Sequence, residues 1–480
     1  MKNLSLIFLL NFLTLASFAK DGYRVQVQFT DVKDSLVYLM HFKGRSADTK
    51  KDDSARLDSK GMVTFSSTKK ITGGIYFILF SGRMPNLEFI LNNGDELAVT
   101  TTKINPYANI QVKGSPENEQ YYKYQKFLIN YGKDYRALEE RLKKSTNKKD
   151  SDDVIKQLNE KGKEIQAFRV NIIEEKPTLF ISKLFKSIKD VDVPKEYPKL
   201  PNGEKDSLFP QRFLKAHFWD NFDFSDARFI YTPVYDGKMD TYLGRMVYPS
   251  PDSVNPEIDM LLKRCEPYPD MYRYTLDNLT NWTEKTNIMG LDECYVHVVE
   301  NYLMKGKAPW LDKKTLDENF KKAQAKVPNM IGAKALDMTM VDTNNSHPTS
   351  LFSIKAKYTI LIFWSTECSH CKEELPKFDS LYHAYLKGKD AKFYAVEIDN
   401  DVTKWKKFIR ENHLNEGWIH VHDPKHTINF RSFYDVYSTP TLYLLDTNKK
   451  IIGKRLDYKS LPTFIEKLEQ QQKQGNIQKK

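Results

Sequence analysis

Cysteine is scarce in this chain: four residues in 480, at Cys265, Cys294, Cys368 and Cys371. So few cannot staple a protein of this length, so its stability must come from packed cores and at least one pair is available for chemistry. Beyond the amino terminus there is no apolar run long enough to cross a membrane as a helix. A basic stripe is also missing. Lys and Arg (74) exceed Asp and Glu (63), for a net charge of +11, but the two signs are interleaved almost everywhere. This argues against nucleic acid as a partner and for a solvated basic surface, loosely attracted to an anionic envelope. What is present, 40% hydrophobic and 13% aromatic residues, suffices for cores in roughly two to four domains.

The first residues address the chain. Lys2 precedes an apolar stretch, Leu4 to Ala16, that ends in Ser17-Phe18-Ala19. Small residues at Ser17 and Ala19 fit a signal peptide, residues 1–19, cleaved after Ala19. The stretch is short and interrupted by Asn11, so an uncleaved anchor is the weaker alternative. No cysteine lies near the cleavage point to carry a lipid. The expectation is an exported protein of the periplasm or cell envelope, with no stable membrane span after cleavage.

Residues 20–114 read as a β-rich, antiparallel sandwich-like domain. Tyr23, Val25, Val27 and Phe29 alternate with polar residues, and further strands are expected at Ser35–His41, Met62–Phe65, Gly74–Phe80, Leu87–Leu91 and Glu96–Thr100. Asn92-Asn93-Gly94-Asp95 marks a hairpin between the last two. No motif here carries chemistry; a structural cap and a docking domain are the competing readings. From residue 115 to 326 the period becomes helical. Tyr121, Tyr124, Leu128, Tyr131, Tyr135, Leu138 and Leu142 form one stripe, answered by Leu158, Ile165, Phe168 and Ile172 before Pro177. The pair reads as a helical hairpin whose tyrosines pack rather than bind ligand. Cys265 and Cys294 lie in this α-helical middle domain as a disulfide, a second redox pair or two buried thiols; sequence leaves these open.

A β/α alternation follows over residues 327–470: strands at Leu336–Val341, Tyr358–Trp364 and Lys392–Ile398, helices at Cys371–Leu386, Val402–Asn412 and Ile428–Tyr434, a hairpin of Thr441–Leu445 and Ile451–Lys454, and a helix at Leu461–Glu469. A polar tail closes the chain at 471–480. Within this part, Tyr358–Trp364 is an apolar run rich in β-branched and aromatic residues and reads as a strand buried on both faces. A short turn then delivers Cys368-Ser369-His370-Cys371 to the start of a helix. Helix N-termini carry partial positive charge and free N–H groups, which stabilise a thiolate.

Other uses of this pair fit less well. Haem attachment needs a histidine after the second cysteine, where Lys372 stands. Zinc needs two further ligands, and there is no second pair at this spacing. A peroxide-reducing cysteine needs a proline where Leu361 lies. His420, His422 and His426 read as a strand end with two exposed histidines rather than a metal site. No metal and no cofactor are expected.

Phe363-Trp364-Ser365-Thr366-Glu367-Cys368-Ser369-His370-Cys371, the later Tyr437-Ser438-Thr439-Pro440-Thr441 and the element order resemble the thioredoxin superfamily. The closer resemblance is to the exported TlpA-like oxidoreductases, which overlap with AhpC/TSA-type domains. The resemblance implies an α/β thioredoxin-like domain in which Cys368 is the exposed nucleophile and Cys371 the buried resolving thiol. It implies that Pro440 is the cis-proline, that Thr439 offers its backbone to a substrate peptide, that His370 tunes the thiolate and that Trp364 shields the site. Thioredoxins proper bury an aspartate where this chain has Ile362; Glu374, one turn beyond Cys371, matches the TlpA-like glutamate that moves the resolving thiol's proton. More loosely, the preceding regions, Met289-Gly290-Leu291-Asp292 through Tyr302 above all, resemble uncharacterised domains of bacterial envelope proteins.

The expectation is a three-part exported thiol–disulfide oxidoreductase. It acts on protein thiols and disulfides of the cell envelope and has an envelope redox partner. The rival is a partner-binding protein whose redox pair senses or locks without turnover. The direction of electron flow stays open: His370 favours oxidant or isomerase, and the TlpA-like resemblance favours reductant.

Overall fold

The computed structural model describes residues 21–80, 87–399 and 401–477. The signal-peptide reading of residues 1–19 therefore lies outside the described residues. The chain divides into two compact units, one of residues up to Val247 plus Lys263–Tyr274, the other of Tyr248–Leu262 plus Thr275 onward. The helical segment contributes to both.

In the first unit, strands β1 (Tyr23–Phe29), β2 (Leu36–Lys43), β3 (Arg45–Arg56), β4 (Met62–Ser67), β5 (Gly74–Leu79), β6 (Leu87–Leu91), β7 (Glu96–Thr101) and β8 (Gln111–Lys113) form two four-stranded sheets, ordered β4-β1-β7-β8 and β3-β2-β5-β6. Alternation in β1 buries Val25, Val27 and Phe29 completely. Four features differ from expectation. The turn at residues 92–95 links β6 to β7, which lie in different sheets, so it closes no hairpin. β1 runs parallel to β7 while antiparallel to β4, so the first sheet is mixed. β3, RSADTKKDDSAR, has no apolar pattern at all. It is an edge strand held to β2 by its backbone, and lysines and aspartates suit an exposed edge. β8 is a second, short edge.

Helices α1 (Pro116–Lys144) and α2 (Lys148–Glu175) form the hairpin. Ser115 caps α1 by accepting the Asn118 N–H, and Asn147 caps α2 through the Asp150 N–H. The tyrosine stripe packs: Tyr121 donates to Glu88 at 2.8 Å, Tyr124 accepts from Arg169 at 2.7 Å, and Phe127 stacks on Phe168. Helices α3 (Phe180–Ser187), α4 (Phe209–His217), α5 (Val234–Thr241), α6 (Pro251–Cys265) and α7 (Pro269–Lys285) continue the segment. Cys265 is a buried thiol 3.7 Å from the Tyr235 hydroxyl. Cys294, on α8 (Asp292–Val298) of the second unit, is another, its thiol pushed up to about 12 by burial. Of the three readings, buried thiols is the one observed.

After α9 (Lys313–Lys326) the second unit contains the α/β domain. Its first strands, β9 (Thr339–Met340) and β10 (Thr349–Ser350), are a two-residue pairing, far shorter than the strand expected at Leu336–Val341. The main sheet is ordered β13-β12-β11-β14-β15, from β11 (Tyr358–Trp364), β12 (Ala391–Glu397), β13 (Trp418–Val421), β14 (Thr441–Leu445) and β15 (Ile451–Lys454). β11 is parallel to β12 and antiparallel to β14. All seven residues of β11 are buried, as its apolar run requires. Ile360, Ile362 and Trp364 face one core with Leu375 and Phe378; Leu361 and Phe363 face the other with Tyr394 and Tyr434. Helices α10 (Ser369–Leu381), α11 (Val402–Glu411), α12 (Phe430–Phe433) and α13 (Ser460–Ile477) complete the domain. α13 runs past the expected end at Glu469, to Ile477.

β13 corrects the histidine reading. His420 lies on the strand and His422 just past its end, and of the three histidines only His426 is exposed: the His420 Nε2 is 2.7 Å from the Leu414 carbonyl and the His422 Nε2 is 2.8 Å from Asn345 Oδ1. Both rings pack on tryptophans, His420 on Trp418 and His422 on Trp405.

Candidate active site

The site forms where the parallel strands β11 and β12 end side by side, since loops leaving carboxyl ends of parallel strands gather there. β11 stops at Trp364 and the chain turns through Ser365, Thr366 and Glu367. Asp399, just past β12, holds this turn: its Oδ2 accepts from Ser365 Oγ at 2.5 Å and from Thr366 Oγ1 and the Glu367 N–H at 3.4 Å. The Cys368 N–H then bonds back to the Ser365 carbonyl at 3.3 Å.

Cys368 is the N-cap of α10. It has extended backbone angles, and its Sγ accepts the Cys371 N–H at 3.4 Å. A thiol thus stands where serine or aspartate commonly does, facing the unsatisfied N–H groups of the first turn. Helix formation accordingly begins at Ser369, earlier than apolar spacing alone suggests. Across the fold, the Thr439 carbonyl lies 3.1 Å from Cys368 Sγ, and the Thr439–Pro440 bond is cis.

The two thiols are pulled in opposite directions. Burial works against ionisation of Cys368. Hydrogen bonds from the Thr439 side chain and from the N–H groups of Cys371 and His370 outweigh it, holding this thiol below its ordinary value. Cys371 is fully buried, and desolvation pushes it up to about 12. Such a pair offers one accessible thiolate and one protected thiol a helical turn away, the arrangement that thiol–disulfide exchange uses.

His370 is exposed, and Glu374 is half-buried on the same helix. Both line a groove of about 600 Å³ beside Cys368, together with Thr439, Pro440, Tyr437 and Arg455. Neither side chain has a hydrogen-bond partner among the described residues. Trp364 is wholly buried within the core that also contains Cys371, its ring 5.2 Å from Phe408. Any shielding by Trp364 therefore acts from beneath the thiols, not as a roof over them. Ile362 is fully buried, with Ala395 and Leu442 as strand neighbours, so no carboxylate occupies that position. Sequence reasoning missed Asp399, Arg455 and Asn287 at or beside this groove, and met Tyr437 only as the start of the motif leading to Pro440. Asp399 alone carried a signal, as the polar residue that ends the strand next to β11. Among the described residues no trio of His, Cys, Asp or Glu is arranged to hold a metal ion, and no helix is long and apolar enough to cross a membrane.

Comparison with known proteins agrees with this geometry. A family model described as Thioredoxin-like matches residues 356–451; models of domains of unknown function, DUF4369 and DUF5106, match residues 23–121 and 143–326. The chain is similar to the thiol-disulfide oxidoreductase ResA of Bacillus cereus, 29% identical over 124 residues, 26% of this chain and 68% of that one. Similar solved structures include a domain of a possible thiol-disulfide isomerase from Cytophaga hutchinsonii, at 40% identity over 30% of this chain and 97% of that one, TM-score 0.28. Another is a thioredoxin-like protein from Bacteroides caccae, at 21% identity over 57% and 98%, TM-score 0.46. The carboxy-terminal domain belongs to the thioredoxin superfamily, in a TlpA-like protein with additional N-terminal domains. The enzyme class is thiol–disulfide oxidoreductase.

Proposed function

We propose that this protein exchanges disulfides with proteins of the cell envelope through Cys368 and Cys371. The carrying observation is the opposite perturbation of the two thiols at one helix start. In the reducing direction the Cys368 thiolate attacks a sulfur of the substrate disulfide. A mixed disulfide forms, and the other substrate sulfur leaves as thiolate and takes a proton. Cys371 loses its proton and attacks Cys368 Sγ. The substrate's second sulfur departs, and the Cys368–Cys371 disulfide carries away two electrons' worth of oxidation. Oxidation of a substrate is the same sequence reversed.

Glu374 receives the proton of Cys371, for which its half-buried place on the same helix, one turn on, suits it. Thr439 and Pro440 form the ledge for the substrate chain, and His370 tunes the thiolate. Trp364 keeps water from the buried thiol. The leader-like residues 1–19 and the exchange chemistry support export to the periplasm or cell envelope, where a dedicated redox partner restores the pair. The domain limits that go with this reading are 20–114, 115–326 and 327–470.

Trapping tests the reading. In an exported Cys371→Ser variant, mixed disulfides with envelope proteins accumulate on Cys368, and a Cys368→Ser variant collects none. Absence of Cys368-dependent adducts would contradict it. A reduction potential near about −270 mV assigns the reducing direction, and one near about −120 mV the oxidising direction.

A further inference from the structure

The groove beside Cys368 is not lined by the thioredoxin-like domain alone. Asn287, from the turn between α7 and α8, is part of its lining. Both belong to the same compact unit. The turn is fixed locally: the Ile288 N–H bonds Thr286 Oγ1 at 3.3 Å, the Leu291 N–H bonds the Ile288 carbonyl at 3.2 Å, and Gly290 takes φ +90°, which favours glycine. It is also anchored to β15, the edge strand of the sheet. Lys454 Nζ donates to Asp292 Oδ2 and, at 3.0 Å, to the Asn329 carbonyl, and the Lys454 N–H lies 3.2 Å from Met289 Sδ. Lys454 is 3% exposed and Asp292 7%, so this is a desolvated ion pair. Breaking such a pair is costly, which holds the turn on the strand edge.

Anchored this way, the turn presents Asn287 as an exposed amide at a fixed place on the groove. An amide offers both donors and an acceptor, the complement of a peptide backbone. The lining also includes Tyr437, which is 81% exposed, a large amphipathic ring left open to solvent. A volume of about 600 Å³ takes several residues of extended chain, far more than the one sulfur that chemistry requires.

We propose that the turn carrying Asn287 is a wall of the protein-substrate groove, so that the segment preceding the thioredoxin-like domain takes part in choosing which polypeptides reach Cys368. The occupant is an extended polypeptide stretch flanking a cysteine, seated over Thr439 and Pro440 and against Asn287 and Tyr437. This rests on the reading of Cys368 as the attacking thiol.

The test uses the full-length, pre-reduced protein and two oxidants in single-turnover reactions: insulin, a protein disulfide, and 5,5′-dithiobis(2-nitrobenzoate), a small disulfide that needs no groove. Asn287→Trp fills the wall from an exposed position. Its rate with insulin falls about fivefold or more while its rate with the small disulfide stays within about twofold, the pattern of a lost binding contact with intact chemistry. Asn287→Ala gives a smaller loss on insulin alone. Unchanged rates on both oxidants, or equal losses on both, overturn the proposal. A wild-type protein no faster than Cys368→Ser on the small disulfide is a different result: it overturns the assignment of the attacking thiol, and the groove proposal with it. A second measurement traps a synthetic single-cysteine peptide on Cys368 in a Cys371→Ala background with a photo-crosslinking residue at position 287. Crosslinking to the peptide is expected, and its absence counts against the wall.

Discussion

The main-chain N–H of Cys371 points at the sulfur of Cys368, 3.4 Å away, so the backbone of one cysteine favours the thiolate of the other. The same helix start buries the Cys371 side chain, which raises that thiol. Iodoacetamide at neutral pH therefore alkylates Cys368 well before Cys371 in the reduced protein. The pH midpoint for Cys368 alkylation lies below the ordinary thiol value of 9.0. Peptide mass mapping against time checks both statements; preferential labelling of Cys371 would contradict them.

The proposed role of Glu374 confines its effect to the second half of exchange. Glu374→Gln leaves attack by Cys368 on a small disulfide unchanged and slows release of a trapped mixed disulfide by about tenfold or more, the lower range of general acid–base effects. The slowing fades at alkaline pH, where hydroxide takes the Cys371 proton without help. Stopped-flow traces resolving the two steps decide it, and equal resolution rates across pH would remove Glu374 from the mechanism.

His420 makes the second unit sensitive to mild acid. Burial, against a weaker opposing bond to the Leu414 carbonyl, lowers its pKa from 6.5 to about 4. The folded state therefore binds fewer protons than the unfolded state between these values, so stability rises with pH through that window. The contribution is complete above pH 6.5 and is lost as pH falls toward 4. Thermal melts of His420→Gln show a flatter dependence over this range than wild type. Parallel curves would contradict the assignment.

Much of this was legible in the amino-acid order, and the exceptions share a cause. Periodicity carries burial, so β11, an apolar run but for Thr359, and the stripe through Tyr121 and Tyr124 were readable. β3 was not, because an edge strand is held by backbone bonds that ask nothing of its lysines and aspartates. His420 and His422 look polar in sequence, but each packs on a tryptophan ring and neither is exposed. At the site, the spacing of Cys368 and Cys371 and the proline at 440 announce themselves locally. Asp399 and Asn287 do not. Their roles arise only where β12 ends beside β11 and where Lys454 anchors the turn next to Asn287.

That Lys454–Asp292 pair yields a stability prediction. Asp292→Ala leaves a buried ammonium without its carboxylate and destabilises the unit by about 3–5 kcal/mol. The double variant Lys454→Met with Asp292→Leu recovers most of that loss, since apolar replacements of similar size remove both desolvation costs together. Urea denaturation of the three proteins measures the difference, and a double variant no more stable than Asp292→Ala would refute it.

The central claim is turnover through Cys368, and the most direct measurement is catalytic reduction of insulin with dithiothreitol as the electron source, wild type against Cys368→Ser. Wild type completes many turnovers per molecule, and the variant completes none above background. Identical progress curves for the two proteins would contradict it and leave the pair as a lock or sensor in a binding protein.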